Sequence, residues 1–199
     1  MPAAPAEIAL QPRGSHIKSP TGKPALTISI HGKGSALDAA PSSREKLLGS
    51  VEEAAAVAAR LRRAGKAVVF TNGCFDLLHV GHIRSLEGAR ALGDYLFVGI
   101  NSDRAVRDLK GKGQPVTPER ERAEVLAALS AVDFVFVFDA ATADEAILAI
   151  RPDVHAKGTD YTEESVPERA AVLSYGGRVA IVGDPKAHST RGILAKLKA

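Results

Sequence analysis

The segment Thr71–His82, with the sequence TNGCFDLLHVGH, holds the residues whose types and spacing are most typical of chemistry. Its two histidines, His79 and His82, are three residues apart, so on a helix they lie on one face and can reach one ligand. Gly81 between them lets a charged group approach the backbone. The unpaired N–H groups and the dipole at a helix N-terminus favour an anion. The segment therefore predicts a nucleotide phosphate site.

An apolar strand at residues 67–70 and the pair Asn72-Gly73 precede this helix. Two histidines at helical spacing usually have a structural role, but the strand and turn before them favour a functional one. With this context, NGCFDLLHVGH resembles the first motif of the cytidylyltransferase-like nucleotidyltransferases, whose hallmark is HxGH at the start of the first helix. The resemblance implies that His79 and His82 hold the α- and β-phosphates. It also implies nucleotide contacts from Gly81 and from the turn before the helix: Thr71, Asn72, Gly73, Cys74 and Phe75.

The sequence FVGINSD at residues 97–103 ends a predicted strand in a polar turn. Its Asn and Asp can simply stop the strand and cap the next helix. In the resembled family a V-x-x-N-S-D turn lies beside the nucleotide, which implies contacts from Asn101 and Asp103.

Two basic segments follow. The first, KGKGQPV from Lys110 onwards, has the form of a solvated connector, but it also matches a family segment L-K-G-x-x-x-P. Lysine is a compact cation, and the match implies that Lys110 neutralises the triphosphate. In the second, TPERER, Pro118 is predicted at the first position of a helix. Glu121-Arg122 matches a family E-R pair whose arginine turns to the phosphates, while Arg120 is interpreted as structural.

The segment KGTDY at residues 157–161 also follows a strand, and an ordinary loop without a binding role would account for its Gly and Asp. Together with Ala-Val-Asp at 131–133, it resembles the sugar-phosphate adenylyltransferases that make ADP-heptose, as in the adenylyltransferase domain of bacterial ADP-heptose synthases. The glycerol-phosphate cytidylyltransferases show G-D-D there instead. The subgroup resemblance implies substrate contacts from five residues: Asp76, Lys157, Gly158, Asp160 and Tyr161.

A last motif, His188-Ser189-Thr190, is predicted to open the final helix. Ser and Thr are ordinary helix caps, but in this superfamily such a start lies over the phosphates, which implies contacts from Ser189 and Thr190. Arg191 stands where the family has Ser or Thr, and Gly192 then weakens the helix by up to about 1 kcal/mol relative to Ala.

Strands and helices alternate through most of the chain. An amphipathic helix is expected from Ser43 to a stop at Gly65, and a short strand at Leu26–Ile30 is a further candidate. The predicted strands are 67–71, 95–100, 133–138, 153–156 and 178–182, and the later helices lie near 79–92, 118–130, 142–150, 166–175 and 190–198. This order predicts an α/β, Rossmann-like, doubly wound parallel sheet of about five strands with helices on both faces. There is no GxxxxGK[ST] and no GxGxxG after a strand, which disfavours a P-loop NTPase and a dinucleotide oxidoreductase.

Residues 1–44 differ from the rest and contain six of the 11 prolines. We expect a disordered, basic extension there and a nucleotidyltransferase domain over residues 45–199. The extension carries a net charge of +3, so the domain is neutral, and aromatic residues make up only 5% of the chain. Nucleic acid is therefore not expected as a partner.

The composition of the chain indicates its cellular compartment and whether the protein itself binds a metal. Cys74 is the one cysteine in the chain, which excludes an internal disulfide and favours a reducing compartment, so the cytoplasm is expected. No apolar run approaches the roughly 20 residues of a membrane span, and the N-terminus lacks the pattern of a signal peptide. One Cys and six scattered His give no zinc-site spacing, so no protein-bound metal is expected.

The resemblance implies transfer of AMP from ATP, with Mg²⁺, to D-glycero-β-D-manno-heptose 1-phosphate, which gives ADP-heptose for lipopolysaccharide core biosynthesis. It also implies a separate heptose 7-phosphate kinase that supplies the substrate, and the family often forms homodimers. Alternatives within the superfamily are cytidylyltransferases for glycerol 3-phosphate or ethanolamine phosphate, and FAD synthetase. A degenerate nucleotide-binding regulatory protein is the alternative of a different class. The HVGH sequence also resembles the HIGH motif of class I aminoacyl-tRNA synthetases, but this chain is too short for one and has no KMSKS-like segment.

Overall fold

Residues 42–184 are described by the structure, a computed structural model. The predicted strand at 26–30, the extension before residue 42, the last helix at 190–198 and the residues Ser189, Thr190, Arg191 and Gly192 lie outside them. The division of the chain into an extension over residues 1–44 and a domain over residues 45–199 stays a prediction.

The described part of the chain is built on one parallel sheet of five strands in the order β3-β2-β1-β4-β5. The strands are β1 (Val68–Gly73), β2 (Tyr95–Asn101), β3 (Phe134–Phe138), β4 (Val154–Gly158) and β5 (Arg178–Val182). The chain runs outward from β1 to β3, then returns to place β4 on the other side of β1. The predicted parallel sheet of about five strands is confirmed.

Six helices connect or flank the strands within residues 42–184. They are α1 (Val51–Arg63), α2 (Val80–Arg90), α3 (Asp103–Lys110), α4 (Glu119–Ala127), α5 (Asp144–Ile150) and α6 (Arg169–Ser174). Since neighbouring residues of a strand face opposite sides, β1 contributes to two layers. Val69 lies in one core cluster with Leu86 of α2 and Leu126 of α4, whereas Phe70 stacks on Phe136 of β3. Helix α1 packs against β1, β3 and α5.

The first helix begins later than predicted, at Val51 and not near Ser43. Residues before it lie along the edge of the sheet, where the backbone N–H of Leu48 donates to the carbonyl of Val135 at 2.8 Å. An edge strand leaves backbone groups unpaired, and this short segment satisfies some of them. Ser50 then caps the helix with its side chain.

Helix α3 was not among the predicted helices. Five of its eight residues are charged and two, Ala105 and Val106, are buried, so its apolar periodicity is weak. Its start is nevertheless encoded, because the Ser102 hydroxyl accepts from the N–H of Ala105 at 3.1 Å. Gly111, at φ +87°, ends the helix, so Lys110 lies at a helix terminus.

Helices of the described residues are all too short or too polar to cross a membrane.

Gly99, in the middle of β2, has no room for a side chain. A Cβ there would lie 2.9 Å from two ring carbons of Phe70 and 3.2 Å from Cζ of Phe136, and both rings are buried. We expect Gly99→Ala to lower the free energy of unfolding by about 1–3 kcal/mol, the usual cost of overpacking. Urea denaturation followed by circular dichroism measures this.

The matched control is Gly158→Ala at the end of β4, where a Cβ meets nothing within 4 Å. The same substitution there should leave stability unchanged or raise it by up to about 1 kcal/mol. Equal losses at the two positions would contradict the packing argument.

Candidate active site

The candidate residues gather beyond the carboxyl ends of β1, β2 and β4. Strand order reverses between β1 and β4, and open parallel sheets bind ligands beside such a reversal. Asn72 and Gly73 end β1 there, and Lys157 and Gly158 end the neighbouring β4. Helix α2, with His79 as its N-cap and His82 in its first turn, follows β1 after the turn at residues 74–78.

The two histidines form a stacked pair at the N-terminus of α2. His79 is the N-cap residue, and its ring lies 3.9 Å from that of His82, with 20° between the ring planes. The backbone N–H of His79 faces Nδ1 of His82 at 3.4 Å. That nitrogen therefore acts as an acceptor, and in the neutral ring the proton is on Nε2.

Burial, then the neighbouring His79 and Lys110, lower the pKa of His82 from 6.5 to about 4. His82 is thus neutral near pH 7 and offers an Nε2–H donor without a charge. Lys110 is exposed at the end of α3 and is close enough to act on His82 through its charge. The structure therefore brings together three predicted residues: His79, His82 and Lys110.

The turn between β1 and α2 is shaped by Gly73 and Phe75. Phe75 has a positive φ of 46°, and its ring lies 5.3 Å from the His82 ring. A Cβ on Gly73 would come within 3.1 Å of the Phe75 ring, so a glycine lets this ring lie back over the turn. Within the same turn Cys74 is half-buried, and Thr71, in the strand, is buried.

Asp76 is buried and bonds to protein groups. Its carboxylate accepts from the backbone N–H of Val116 at 2.8 Å and of Thr117 at 2.9 Å. This carboxylate ties the histidine motif to the segment that leads into α4. The predicted substrate contact of Asp76 stays a prediction.

Arg122 is turned into the protein. Its side chain is 0% exposed, and its guanidinium donates to the carbonyls of Cys74, Asn101 and Thr117. Nη2 also lies 2.7 Å from a carboxylate oxygen of Asp103. The phosphate contact predicted for this arginine differs from this inward arrangement, because four of its five N–H donors bond to groups of the protein.

Asn101 and Asp103 take part in the same loop structure. The Asn101 amide donates to the carbonyl of Ala140 at 2.9 Å, and its oxygen lies 3.8 Å from Sγ of Cys74. The backbone N–H of Asp103 donates to a carboxylate oxygen of Glu119 at 2.7 Å. The Asn101 side chain thus connects the end of β2 to the segment after β3, and Asp103 contacts α4 through Glu119 and Arg122. The cap of α3 is Ser102, and not the Asn or Asp of the structural alternative.

The KGTDY segment divides into a buried and an exposed part. Lys157 is buried, with its ammonium 5.0 Å from the centre of the Tyr161 ring, whereas Asp160 and Tyr161 are exposed. Gly158 has a negative φ and open space where a Cβ would project. The backbone conformation at this position therefore does not require a glycine, and the space beside it is available to a ligand.

Two buried residues near the site were missed by sequence reasoning. Glu168, the N-cap residue of α6, lies 3.4 Å from the Lys157 ammonium, and His155 of β4 lies 3.7 Å from the same carboxylate. Burial alone would raise the pKa of Glu168, but His155 and the charge of Lys157 outweigh it and lower the pKa to about 2. A signal was available, because a lysine inside a buried strand requires an acidic partner.

A metal site built from the protein alone is not found in residues 42–184. No three His, Cys, Asp or Glu side chains are grouped there so that they could hold an ion.

Comparison with known proteins agrees with this geometry. The chain is 53% identical over 136 residues to the bifunctional protein HldE of Syntrophotalea carbinolica and 54% identical over 136 residues to that of Methylobacillus flagellatus. Each match covers 68% of this chain and 28% of the relative, so the chain spans less than a third of the length of these relatives.

A solved structure also matches the fold. The lipopolysaccharide core biosynthesis protein of Thermoplasma volcanium has a TM-score of 0.54 and 25% identity, over 61% of this chain and 100% of that protein.

The family is given by a model described as cytidylyltransferase-like, which matches residues 70–186. The match begins in β1 and includes the histidine motif, Lys110, Arg122 and the KGTDY segment. It covers more than half of the chain, and the resemblance predicted from the sequence is confirmed. The chain therefore belongs to the cytidylyltransferase-like family.

Proposed function

We propose that this chain is an adenylyltransferase that transfers AMP from ATP to D-glycero-β-D-manno-heptose 1-phosphate, giving ADP-heptose for lipopolysaccharide core biosynthesis. The observation that carries the nucleotidyl transfer is the stacked pair of His79 and His82 at the start of α2. The choice of substrate is supported by the KGTDY segment and by the likeness to HldE and to a lipopolysaccharide core biosynthesis protein.

The proposed reaction is a direct displacement. An oxygen of the sugar 1-phosphate attacks the α-phosphorus of ATP, a new P–O bond forms, and the bond to the β-phosphate oxygen breaks so that pyrophosphate leaves. No covalent intermediate with the protein is needed. Catalysis then rests on positioning and on donors aimed at the developing charge.

Each candidate residue has a role in this scheme. His82 donates from neutral Nε2 to a phosphate oxygen, His79 binds beside it, and Lys110 adds a mobile positive charge for the triphosphate and the leaving pyrophosphate. Arg122 acts as a positioning residue, since its buried guanidinium holds the turn after β1. Nucleotide contacts are assigned to the β1 turn and to Ser189 and Thr190, and sugar contacts to Gly158, Asp160 and Tyr161.

Nucleotidyltransferases of this kind generally use a divalent metal, and we assign Mg²⁺, delivered as MgATP. Mg²⁺ keeps several waters and is usually bound through substrate phosphates and one or two carboxylates. The donors at this site, two imidazoles and a lysine, suit the phosphate oxygens and not the ion itself. When bound, the ion neutralises phosphate charge.

Further assignments follow from the proposed reaction. The substrate requires a kinase acting on heptose 7-phosphate, for which a separate enzyme is proposed, and the cytoplasm is the proposed compartment. A homodimer, and a basic extension over residues 1–44 ahead of the domain, complete the proposal.

The deciding experiment is pyrophosphate release by the full chain with Mg²⁺, comparing ATP and CTP, each with heptose 1-phosphate and with glycerol 3-phosphate. We expect turnover with ATP and heptose 1-phosphate only. Turnover with CTP would overturn the base and substrate assignment while keeping nucleotidyl transfer. Nucleotide binding without pyrophosphate release in any combination would contradict the enzyme assignment and favour a regulatory binding protein.

The histidine pair gives a direct prediction. His82→Ala should lower kcat by about 10²–10³-fold, the usual loss for one transition-state donor, because the Nε2–H donor for the phosphate is removed. The pyrophosphate assay measures kcat, and thermal denaturation checks that the fold is intact.

Glu87→Gln is the control, since Glu87 is exposed on the same helix. It should leave kcat within about twofold, as surface substitutions usually do. A His82→Ala enzyme as active as this control would remove His82 from the mechanism.

The low pKa of His82 predicts proton uptake on nucleotide binding. In the free protein the pKa is about 4, and the negative phosphates of ATP will raise it. At about pH 5.5 the ring is neutral before binding and protonated after it, so binding should take up as much as about one proton. At about pH 8 it should take up none.

Calorimetric titration with ATP, in two buffers of different ionisation enthalpy, counts these protons. The ATP phosphates exchange protons of their own, so the quantity of interest is the difference between the wild type and His82→Gln. Equal proton uptake by the two proteins at the lower pH would show that His82 does not meet the phosphates.

A further inference from the structure

Glu168 connects four elements at the carboxyl edge of the sheet. Its side chain is 3% exposed, and one carboxylate oxygen lies 3.3 Å from Nδ2 of Asn72 and 3.4 Å from the backbone N–H of Ala143. The other oxygen lies 3.4 Å from the ammonium of Lys157. The partners belong to the end of β1, the start of α5 and β4, while Glu168 itself caps α6.

The ammonium of Lys157 is held by the same group of residues. It donates to Oδ1 of Asn72 at 3.1 Å, lies against the Glu168 carboxylate, and is covered by the ring of Tyr161. The Lys157 side chain is 8% exposed. Lys157 and Glu168 thus form a buried ion pair, and both of them contact the Asn72 amide.

This pair selects one of the two orientations of the Asn72 amide. In the structure Oδ1 faces the positive charge of Lys157, and the NH₂ group faces the negative charge of Glu168. Rotating the amide by half a turn would place the NH₂ group against the ammonium and the oxygen against the carboxylate. Both contacts would then be repulsive, and charges out of water interact strongly.

The negative charge that this requires on Glu168 is maintained in the folded protein. The pKa of Glu168 is about 2, so the carboxylate is ionised at neutral pH. Burial lowers the pKa of His155, so this neighbour is neutral and does not replace Lys157 as the counter-ion. Burial also lowers the pKa of Lys157, which the charge of Glu168 opposes.

We propose that the Lys157–Glu168 ion pair is a positioning device, and that Glu168 acts on the reaction by holding the Asn72 amide in a single orientation toward the nucleotide. This rests on the proposed function. An amide has two N–H donors and two acceptor positions, and the contacts of Asn72 within residues 42–184 use one of each. The remaining donor and acceptor are thereby presented in a defined order to a ligand beside Gly73.

Stability alone does not account for the ion pair. Replacing a buried pair with apolar residues of similar volume is often neutral or stabilising, because desolvation offsets the attraction. A pair that also sets the direction of a polar side chain has a role that apolar residues cannot supply. A merely structural pair, in contrast, would leave turnover unchanged once the fold is intact.

A double-mutant cycle between Glu168 and Asn72 tests the proposal in the full chain. Glu168→Gln puts an NH₂ group or an uncharged oxygen toward Lys157, so the amide of Asn72 loses its fixed order. We expect kcat/KM to fall by about 10–100-fold, as for a small misplacement in an active site. In the Asn72→Ala background the same substitution should cost less than about twofold, because the amide through which Glu168 acts is gone.

Glu163→Gln is the matched control, with the same chemical change at an exposed position in the segment before α6. It should not change kcat/KM in either background. Equal losses from Glu168→Gln with and without the Asn72 amide would overturn the proposal, because Glu168 would then act by another route.

A second measurement does not depend on turnover, so it separates this proposal from the proposed reaction. The Asn72 side-chain amide gives a pair of ¹H–¹⁵N signals, which are assigned by their loss in Asn72→Ala. Glu168→Gln should shift these signals and speed their exchange with water, while Glu163→Gln should not. Unchanged signals in Glu168→Gln would overturn the proposal, even for an enzyme that follows the proposed reaction.

If Glu168→Gln does not fold, the neutral double variant Lys157→Met/Glu168→Gln takes its place. It removes both charges, so no buried charge is left unpaired. The Asn72 amide signals should move in this variant as well, and signals like those of the wild type would overturn the proposal.

Discussion

The buried guanidinium of Arg122 is the interaction on which the arrangement of the site depends. A charge removed from water must be matched by partners, and this one is matched by the carbonyls of Cys74, Asn101 and Thr117 and by the Asp103 carboxylate. These partners come from the turn after β1, the end of β2, the start of α3 and the residues before α4. One side chain thus fixes the relative positions of four segments that are distant in sequence.

Asp76 has a similar role on the other side of the same turn. Its carboxylate accepts from the backbone N–H groups of Val116 and Thr117. The carbonyl of Thr117 in turn accepts from Arg122. The turn before the histidines is therefore held at Cys74 and at Asp76, while Lys110 remains exposed at the end of α3. In the proposed reaction, such a turn beside an exposed lysine suits a phosphate ligand, because the donors are preorganised and the lysine can follow charge as it moves to the leaving group.

Much of the fold was accessible from the sequence, because strands buried on both faces give apolar runs that local patterns reveal. The start of α1 was predicted too early, since Leu47 and Leu48 continue the apolar period but lie along β3 instead. For the site, the histidine pair was recognisable from spacing and context. The direction of Arg122 and the presence of Glu168 were not, because each depends on partners from three or more segments that come together only in the folded chain.

The site separates its charges according to their access to solvent. The two buried cations within residues 42–184 are each paired with a carboxylate, Arg122 with Asp103 and Lys157 with Glu168, so both are compensated before a ligand arrives. His82, which is proposed to face the phosphates, is kept neutral by burial and by its stacked neighbour. A site for the proposed triphosphate can thus be assembled without an unpaired buried cation in this part of the free protein, because Lys110 keeps its charge in water and the metal that accompanies ATP brings further positive charge on binding.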